Sequence, residues 1–439
     1  MKKYFARDAL LPSGWARDVL VSVDAGGITA VESNGAPDGA ERLQGPLLPG
    51  MANLHSHAFQ RGMAGLAEIR GSPDDDFWTW RELMYRFVER VTPEQVEAIA
   101  LGLYIEMLKN GYTAVAEFNY LNQPHEMLDR HLAAARAAGT GITLLPSLYR
   151  WSTFGSQPLN PRQQRFDSDV RGIVDACRAV KQTPDARAGV APHSLRAVDP
   201  GALRELVAAV PAEAPIHIHA AEQTKEVEDC RLALGQRPVE WLLSNFAIDE
   251  RWCLVHATHM VAEETIGLAK SGAVAGLCPT TEGNLGDGIF PLVEYRGAGG
   301  RYGIGGDSHV SRDPAEELRL LEYVQRLIAR KRNLVVGKSQ AVGTTLWLEA
   351  AAGGAQALGR KMGALAEGKR ADFVVLDGEH PDIADRHGDA IANALVFSGS
   401  PGLVRDVMVA GRWVVRERHH ALEEKAAARY ANAVRELLA

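Results

Sequence analysis

Two histidines separated by one residue, His55 and His57, close an apolar run over residues 47–54. Alternate side chains of a β-strand share a face, so the two imidazoles project together, about 7 Å apart along the backbone. Side chains of that length can converge on one metal ion held about 2.0–2.1 Å from each ring nitrogen. An isolated His-x-His is more often a pair of ordinary polar residues where a strand enters a loop. Here the pattern recurs. His193 follows Ala191-Pro192, and His217 and His219 flank Ile218 with Glu222 three residues on. His256 ends the run Trp252-Cys253-Leu254-Val255, and Asp307 and His309 flank Ser308. Seven of the 14 histidines (55, 57, 193, 217, 219, 256, 309) fall in these short windows, a concentration that random scatter would not produce. Three histidines and an aspartate from such strand ends make an N/O ligand set for a divalent metal, zinc first, with iron and manganese also accepted by such sites. Each residue also has a plainer role open to it. His217 lies a layer deeper along its strand, and His259 and His309 are loop residues. Asp307 can cap the following segment, and Glu222 can be a helix first-turn carboxylate.

Those windows need elements to carry them. Strand-like runs fall at 47–54, 113–118, 142–148, 189–192, 215–219, 252–255, 273–277 and 302–305. Helical patterns lie between most of them, at 93–109, 126–138, 168–181, 199–210 and 262–270, and a longer one at 314–332 follows the last strand. Eight strands alternating with helices predict an α/β fold, a (β/α)8 TIM-like barrel over 47–364. In such barrels the active site gathers at the C-terminal ends of the strands, where these histidines stand. Short alternating runs with Gly- and Pro-bearing turns occupy 1–46, and the same texture returns at 371–376 and 404–415. Both chain ends, 1–46 and 365–439, are therefore expected to build one small sheet domain, closed by a helix from about residue 422.

The 439 residues are 46% hydrophobic, ample for a large core, and carry a net charge of −7. No basic stripe appears, so nucleic acid is not an expected partner, and an anionic substrate would need local arginines. The first residues lack the apolar core of a signal peptide, and no stretch approaches the ~18 uninterrupted apolar residues of a membrane span. Cys177, Cys230, Cys253 and Cys278 are scattered, without a Cys-x-x-Cys pair. They read as reduced thiols of a cytoplasmic protein, with cysteine not the expected metal ligand.

Pro-Gly-x-x-Asn-x-His-x-His at 49–57, His-x-x-Glu at 219–222, His256 after a buried strand and Asp307 in Asp-Ser-His together resemble the amidohydrolase superfamily, in its branch of single-metal deaminases. The tail Gly368-Lys369-x-Ala371-Asp372-Phe373 resembles that superfamily's accessory β-sandwich. Two-metal relatives carry a carboxylated lysine where this chain has His193. The likeness sharpens toward the formimidoylglutamate deiminase family through Ala-Phe-Gln-Arg (58–61), Trp-Arg-Glu-x-Met-Tyr (80–85), Ala-Glu-Phe-Asn-Tyr-Leu (116–121) and Ala-Pro-His-Ser-Leu-Arg (191–196). The stretches at 278–288 and 305–311 match as well.

This resemblance implies one divalent ion, zinc first, on His55, His57, His219 and Asp307. It implies that Glu222 and His256 flank the reacting carbon, with Asp307 also taking the water's proton. Gln60, Arg81, Tyr120, His193 and Arg196 would hold the substrate, although Arg81 can equally be a solvated helix arginine. The implied reaction is hydrolysis of N-formimino-L-glutamate, a small anion, to N-formyl-L-glutamate and ammonia, by a homodimer. Two other readings stay open: a deaminase of a purine-like base on the same scaffold, and a non-catalytic homologue that keeps the barrel for binding.

Overall fold

The computed structural model describes residues 1–71, 73, 75–121 and 124–439. Two parallel sheets form its centre. In one, the strands run in the order Ala191–Pro192, Gly141–Leu148, Tyr112–Asn119, Met51–Ser56, with Ala186–Ala188 also beside Gly141–Leu148. In the other the order is Ile216–Ala220, Trp252–His256, Val274–Leu277, Arg301–Ile304. Isolated parallel bridges join the two sheets at both seams: Ser56 with Asp307 at one, Val190 with Ile216 and Ser194 with His219 at the other. Every residue of Tyr112–Asn119 and Gly141–Leu148 is buried, as a parallel sheet covered on both faces requires.

Two of the expected strands are broken, each at a glycine. The run at 47–54 is two strands. Leu47–Pro49 pairs antiparallel with Phe373–Leu376, while Met51–Ser56 pairs parallel with Tyr112–Asn119. Between them, the Gly50 N–H donates to Asp372 O at 3.0 Å and the Met51 N–H to Gly111 O at 3.1 Å, so the chain changes sheets there. A Cβ at Gly50 would lie 2.3 Å from Thr113 Oγ1, which leaves glycine as the residue that fits. The run at 189–192 is likewise reduced to Ala191–Pro192, with Ala186–Ala188 before it. A Cβ at Gly189 would meet Pro215 O at 2.4 Å, and Pro192 has no N–H to give a ladder.

The chain ends form one mixed sheet in the order Arg412–Val415, Val404–Val409, Phe373–Leu376, Leu47–Pro49, Lys2–Leu11, Gly14–Asp24, Gly27–Glu32. It is curled. Three strands separate Tyr4 from Trp413 along the sheet, yet their rings stand 5.7 Å apart, and Tyr4 meets Phe373 at 5.9 Å. Flat strands about 4.8 Å apart would keep the first pair roughly 19 Å from each other. The inner face encloses its own core of Tyr4, Ala6, Val19, Val21, Phe373 and Met408. The outer face, through Leu10, Leu48, Val374 and Val407, joins the main core.

The helix expected from residue 422 is Glu423–Leu438, tied to Pro93–Lys109 by Lys109 to Glu423 (2.7 Å) and Arg429 to Glu97 (2.9 Å). Two helices that the periodicity did not announce, Phe77–Arg90 and Val342–Ala357, complete the packing around the site and the sheets. Among the described residues no helix is long and apolar enough to cross a membrane. All four cysteines are free and buried.

Candidate metal centre and substrate cavity

The strand order brings the scattered histidines together. His55 and His57 end Met51–Ser56, His219 lies in Ile216–Ala220, and Asp307 follows Arg301–Ile304 at the bridge to Ser56. His55 Nε2 lies 3.1 Å from His219 Nε2, and Asp307 Oδ1 is 3.5 Å from Nε2 of both His55 and His57. His57 Nδ1 stands 2.8 Å from the Phe118 carbonyl, and His219 Nδ1 stands 2.9 Å from that of His193. A carbonyl only accepts, so both rings carry their proton on Nδ1 and turn a bare Nε2 inward. Burial pushes the pKa values of His55, His57 and His219 below the ordinary range, so none is charged at neutral pH. Three ring nitrogens and a carboxylate oxygen thus converge with at most one proton among them. That donor set fits a divalent cation, with the two carbonyls orienting the rings from outside. Backbone strain collects here too: Ala221, His256, Ala257, Asp307 and His309 all have φ between 48° and 67°.

Beside this cluster His256 Nε2 lies 3.6 Å from Glu222 Oε1 and 3.7 Å from Asp307 Oδ2, while Nδ1 reaches Glu282 Oε1 at 3.2 Å. Burial opposes charge on His256, but Glu222, the bond to Glu282 and Asp307 outweigh it and raise the pKa. Burial raises the Glu222 carboxyl to about 7, even with His256 and Arg196 favouring its ionised form. Arg196 lies 3.5 Å from Glu222 Oε2 and 4.0 Å from Glu226 Oε2. Glu222 sits before the helix Thr224–Leu234, and its N–H donates to Glu226 at 3.0 Å, so it is not the first-turn carboxylate it resembled in the sequence.

A cavity opens over His57, His219, Glu222 and Asp307. All five residues expected to hold substrate line it: Gln60, Arg81, Tyr120, His193 and Arg196. Gln60 donates to the Tyr120 hydroxyl at 2.7 Å. Arg81, on Phe77–Arg90, stacks on Trp78 at 4.5 Å and makes no ion pair among the described residues, so it faces the cavity as an unneutralised cation. His55 and His256 do not line the cavity, and both are fully buried.

The histidines given plainer roles have them. His217 bonds the Ala357 carbonyl at 2.8 Å, His259 that of Asp287 at 2.7 Å, and His309 the Ser56 hydroxyl at 2.8 Å. Sequence reasoning missed the buried carboxylates behind the site. Glu282 holds His256. Glu117 accepts from Ser56 Oγ at 2.6 Å and the Ala58 N–H at 2.8 Å, bracing the strand end between His55 and His57. Glu282 lies inside the 278–288 stretch, the one signal that pointed to it. His256, Cys278 and Glu282 also lie close together. Burial raises the Cys278 thiol pKa and Glu282 is already taken by His256 and the Cys278 N–H, so that trio is a hydrogen-bonded support.

This constellation on two seamed parallel sheets is that of a metal-dependent hydrolase. Residues 47–414 match the amidohydrolase family, and the chain belongs to it. Residues 1–45 match the family described as formimidoylglutamate deiminase HutF, N-terminal domain. The formimidoylglutamate deiminase of Pseudomonas aeruginosa is 53% identical over 452 residues, covering 100% of both chains. The crystal structure of an amidohydrolase from Brucella melitensis superposes with a TM-score of 0.95 at 46% identity, again over 100% of both chains. A 5-methylthioadenosine/S-adenosylhomocysteine deaminase of Natronomonas pharaonis is 32% identical over 413 residues, 91% of this chain and 89% of that one.

Proposed function

We propose that this chain is a hydrolase of a linear amidine C–N bond, converting N-formimino-L-glutamate to N-formyl-L-glutamate and ammonia in histidine degradation. The observation that carries the reading, beside the full-length relative of that activity, is the pair of guanidinium groups, Arg81 and Arg196, in the cavity above the ligand cluster. A dicarboxylate in a protein of net charge −7 needs fixed cations there. A neutral purine-like base does not, although the 32% relative acts on nucleosides by name. A scaffold kept only for binding would have no use for a complete ligand set, and none of the four is lost.

His55, His57, His219 and Asp307 would hold one divalent ion, for which zinc suits the N/O set. Bound there, the ion would supply the positive charge that lets a water ionise near neutral pH. Asp307, whose Oδ2 faces His256 rather than the histidine ligands, accepts the proton of the attacking water. His256, held from behind by Glu282, orients that water against the amidine carbon. Glu222 binds the nitrogen end of the substrate and relays a proton to the departing nitrogen, with His256 standing between it and Asp307 to pass the water's proton across. Gln60, Tyr120 and His193 complete the substrate contacts. The two bridged sheets read as one barrel over 47–364, the curled sheet of 1–46 and 365–439 as its accessory sandwich, and the protein would act as a cytoplasmic homodimer.

Ammonia release from a panel of formimino-glutamate, formimino-aspartate, guanine and adenosine tests the reading, and turnover of guanine or adenosine alone would overturn it. Arg196→Met should keep the metal but weaken capture of formimino-glutamate by about 2–5 kcal/mol, seen as a steep rise in KM. Part of that loss is the repulsion of Glu222 and Glu226 left facing each other. Near-normal kcat/KM in this variant would remove the dicarboxylate assignment.

A further inference from the structure

One wall of the cavity is aromatic. Tyr85 and Tyr149 line it and pack on Phe166, with ring centres 5.7 and 5.2 Å away. Behind them stands Gln163, fully buried, on the same short 3-10 turn Pro161–Phe166 as Phe166. The Asn160 N–H lies 3.1 Å from the Gln163 amide. An N–H only donates, so the atom facing it is the oxygen Oε1, and the amide nitrogen is turned the other way. That nitrogen is 3.2 Å from the Tyr85 hydroxyl and 3.2 Å from the Tyr149 hydroxyl, one hydrogen for each. Both phenol oxygens therefore accept, and each must send its own hydrogen elsewhere. Among the described residues neither hydroxyl has an acceptor, and the cavity both of them line is the open direction. Arg81 shares this wall, its guanidinium carbon 5.4 Å from the Tyr85 ring centre, and that of Arg196 lies 5.8 Å from the ring of Trp78, on which Arg81 also stacks.

We propose that Gln163 turns Tyr85 and Tyr149 into a pair of O–H donors for the substrate carboxylate lying against Arg81, which makes the two tyrosines specificity-determining residues and Gln163 their positioning residue. The inference rests on the dicarboxylate reading above and adds the groups that select the acid over a neutral molecule. Two phenol hydrogens beside a guanidinium form a surface with donors and no acceptor, matched to a carboxylate and mismatched to the mixed donor–acceptor edge of a base. Burial raises the Tyr149 pKa, so its donor persists through neutral and basic pH.

The test uses the full-length, metal-loaded protein and N-formimino-L-glutamate. Tyr85→Phe and Tyr149→Phe should each raise KM about tenfold or more, the worth of a hydrogen bond to a charged group, with kcat retained. Gln163→Glu is nearly isosteric but accepts from the phenols, drawing their hydrogens away from the cavity, so it should raise KM at least as far. Glutarate, used as a competitive probe, should weaken in parallel. If the tyrosines served packing alone, the Phe variants would lower the thermal midpoint and leave KM and glutarate inhibition at wild-type values, which overturns the proposal. Should a Phe variant be too unstable to assay, Gln163→Glu keeps both rings in place and carries the same two outcomes. Failure of the wild type to release ammonia from formimino-glutamate is seen before any variant is made, and it overturns the functional reading and this proposal together.

Discussion

Asp307 divides its two oxygens between different tasks. Oδ1 faces His55 and His57 and Oδ2 faces His256, which in turn faces Glu222, so the groups proposed to handle protons flank the proposed ligand cluster without belonging to it. Glu222→Gln should therefore retain about one metal ion per chain by elemental analysis while turnover drops roughly 10²–10⁴-fold, the usual worth of a positioned acid–base group. Loss of the metal in that variant would make Glu222 a ligand. A second carboxyl tests burial away from the chemistry. Glu317 accepts from the Thr280 N–H at 2.9 Å and its hydroxyl at 2.6 Å, yet burial still raises its pKa from 4.5 to about 8. The folded state then holds this proton more tightly than the unfolded chain does. Its contribution is full below pH 4.5 and falls as pH rises toward 8. Urea midpoints of wild type minus Glu317→Gln should decline across that window and level off above it; a flat difference would refute the assignment. The histidines were legible because strand ends collect polar residues in short windows. Glu282 and Gln163 were not, since their partners are fixed by where distant backbones pass and no spacing in the chain encodes that.

At the scale of elements, glycine decides where strands end and how closely helices approach. In Val342–Ala357 a Cβ at Gly353 would lie 1.9 Å from the Tyr302 carbonyl oxygen, so this helix touches the end strand of its sheet backbone to backbone. Glycine to alanine in an open helix gains about 1 kcal/mol. Gly353→Ala should reverse that sign and cost about 1–3 kcal/mol or more as overpacking, measurable in urea denaturation. An unchanged or raised midpoint would show that the contact can open. The same residues explain why the element escaped sequence reading. Twelve of its sixteen residues are buried, so the helix is apolar on every side and has no 3.6-residue stripe, and Gly353-Gly354 lowers its helix propensity further. Helices with one wet face, such as Pro314–Ala329, were visible for the opposite reason.

Across the whole molecule, the ligand cluster sits beside a seam. His55, His57 and Asp307 flank the Ser56–Asp307 bridge, so an ion held there also ties one parallel sheet to the other. Removing it with a chelator should lower the thermal midpoint and restoring it should return the midpoint; a free ion at about 100 times its Kd is worth about 2.7 kcal/mol. An unchanged midpoint would mean that the seam holds without the ion. The curled sheet of the termini reaches further, into how the chain is made. Leu47–Pro49 lies between Lys2–Leu11 and Phe373–Leu376, so during synthesis one side of that strand emerges long before its neighbour exists. Met51–Ser56 can find Tyr112–Asn119 early, while the strand next to it waits with bare backbone groups until nearly the whole polypeptide has left the ribosome. An unpaired edge of that kind attracts other chains. The nascent protein is thus most exposed to self-association in the interval between completing its parallel sheets and translating residue 376, and a truncated message ending before that point yields a chain whose parallel strands are present but whose Leu47–Pro49 edge stays unpaired.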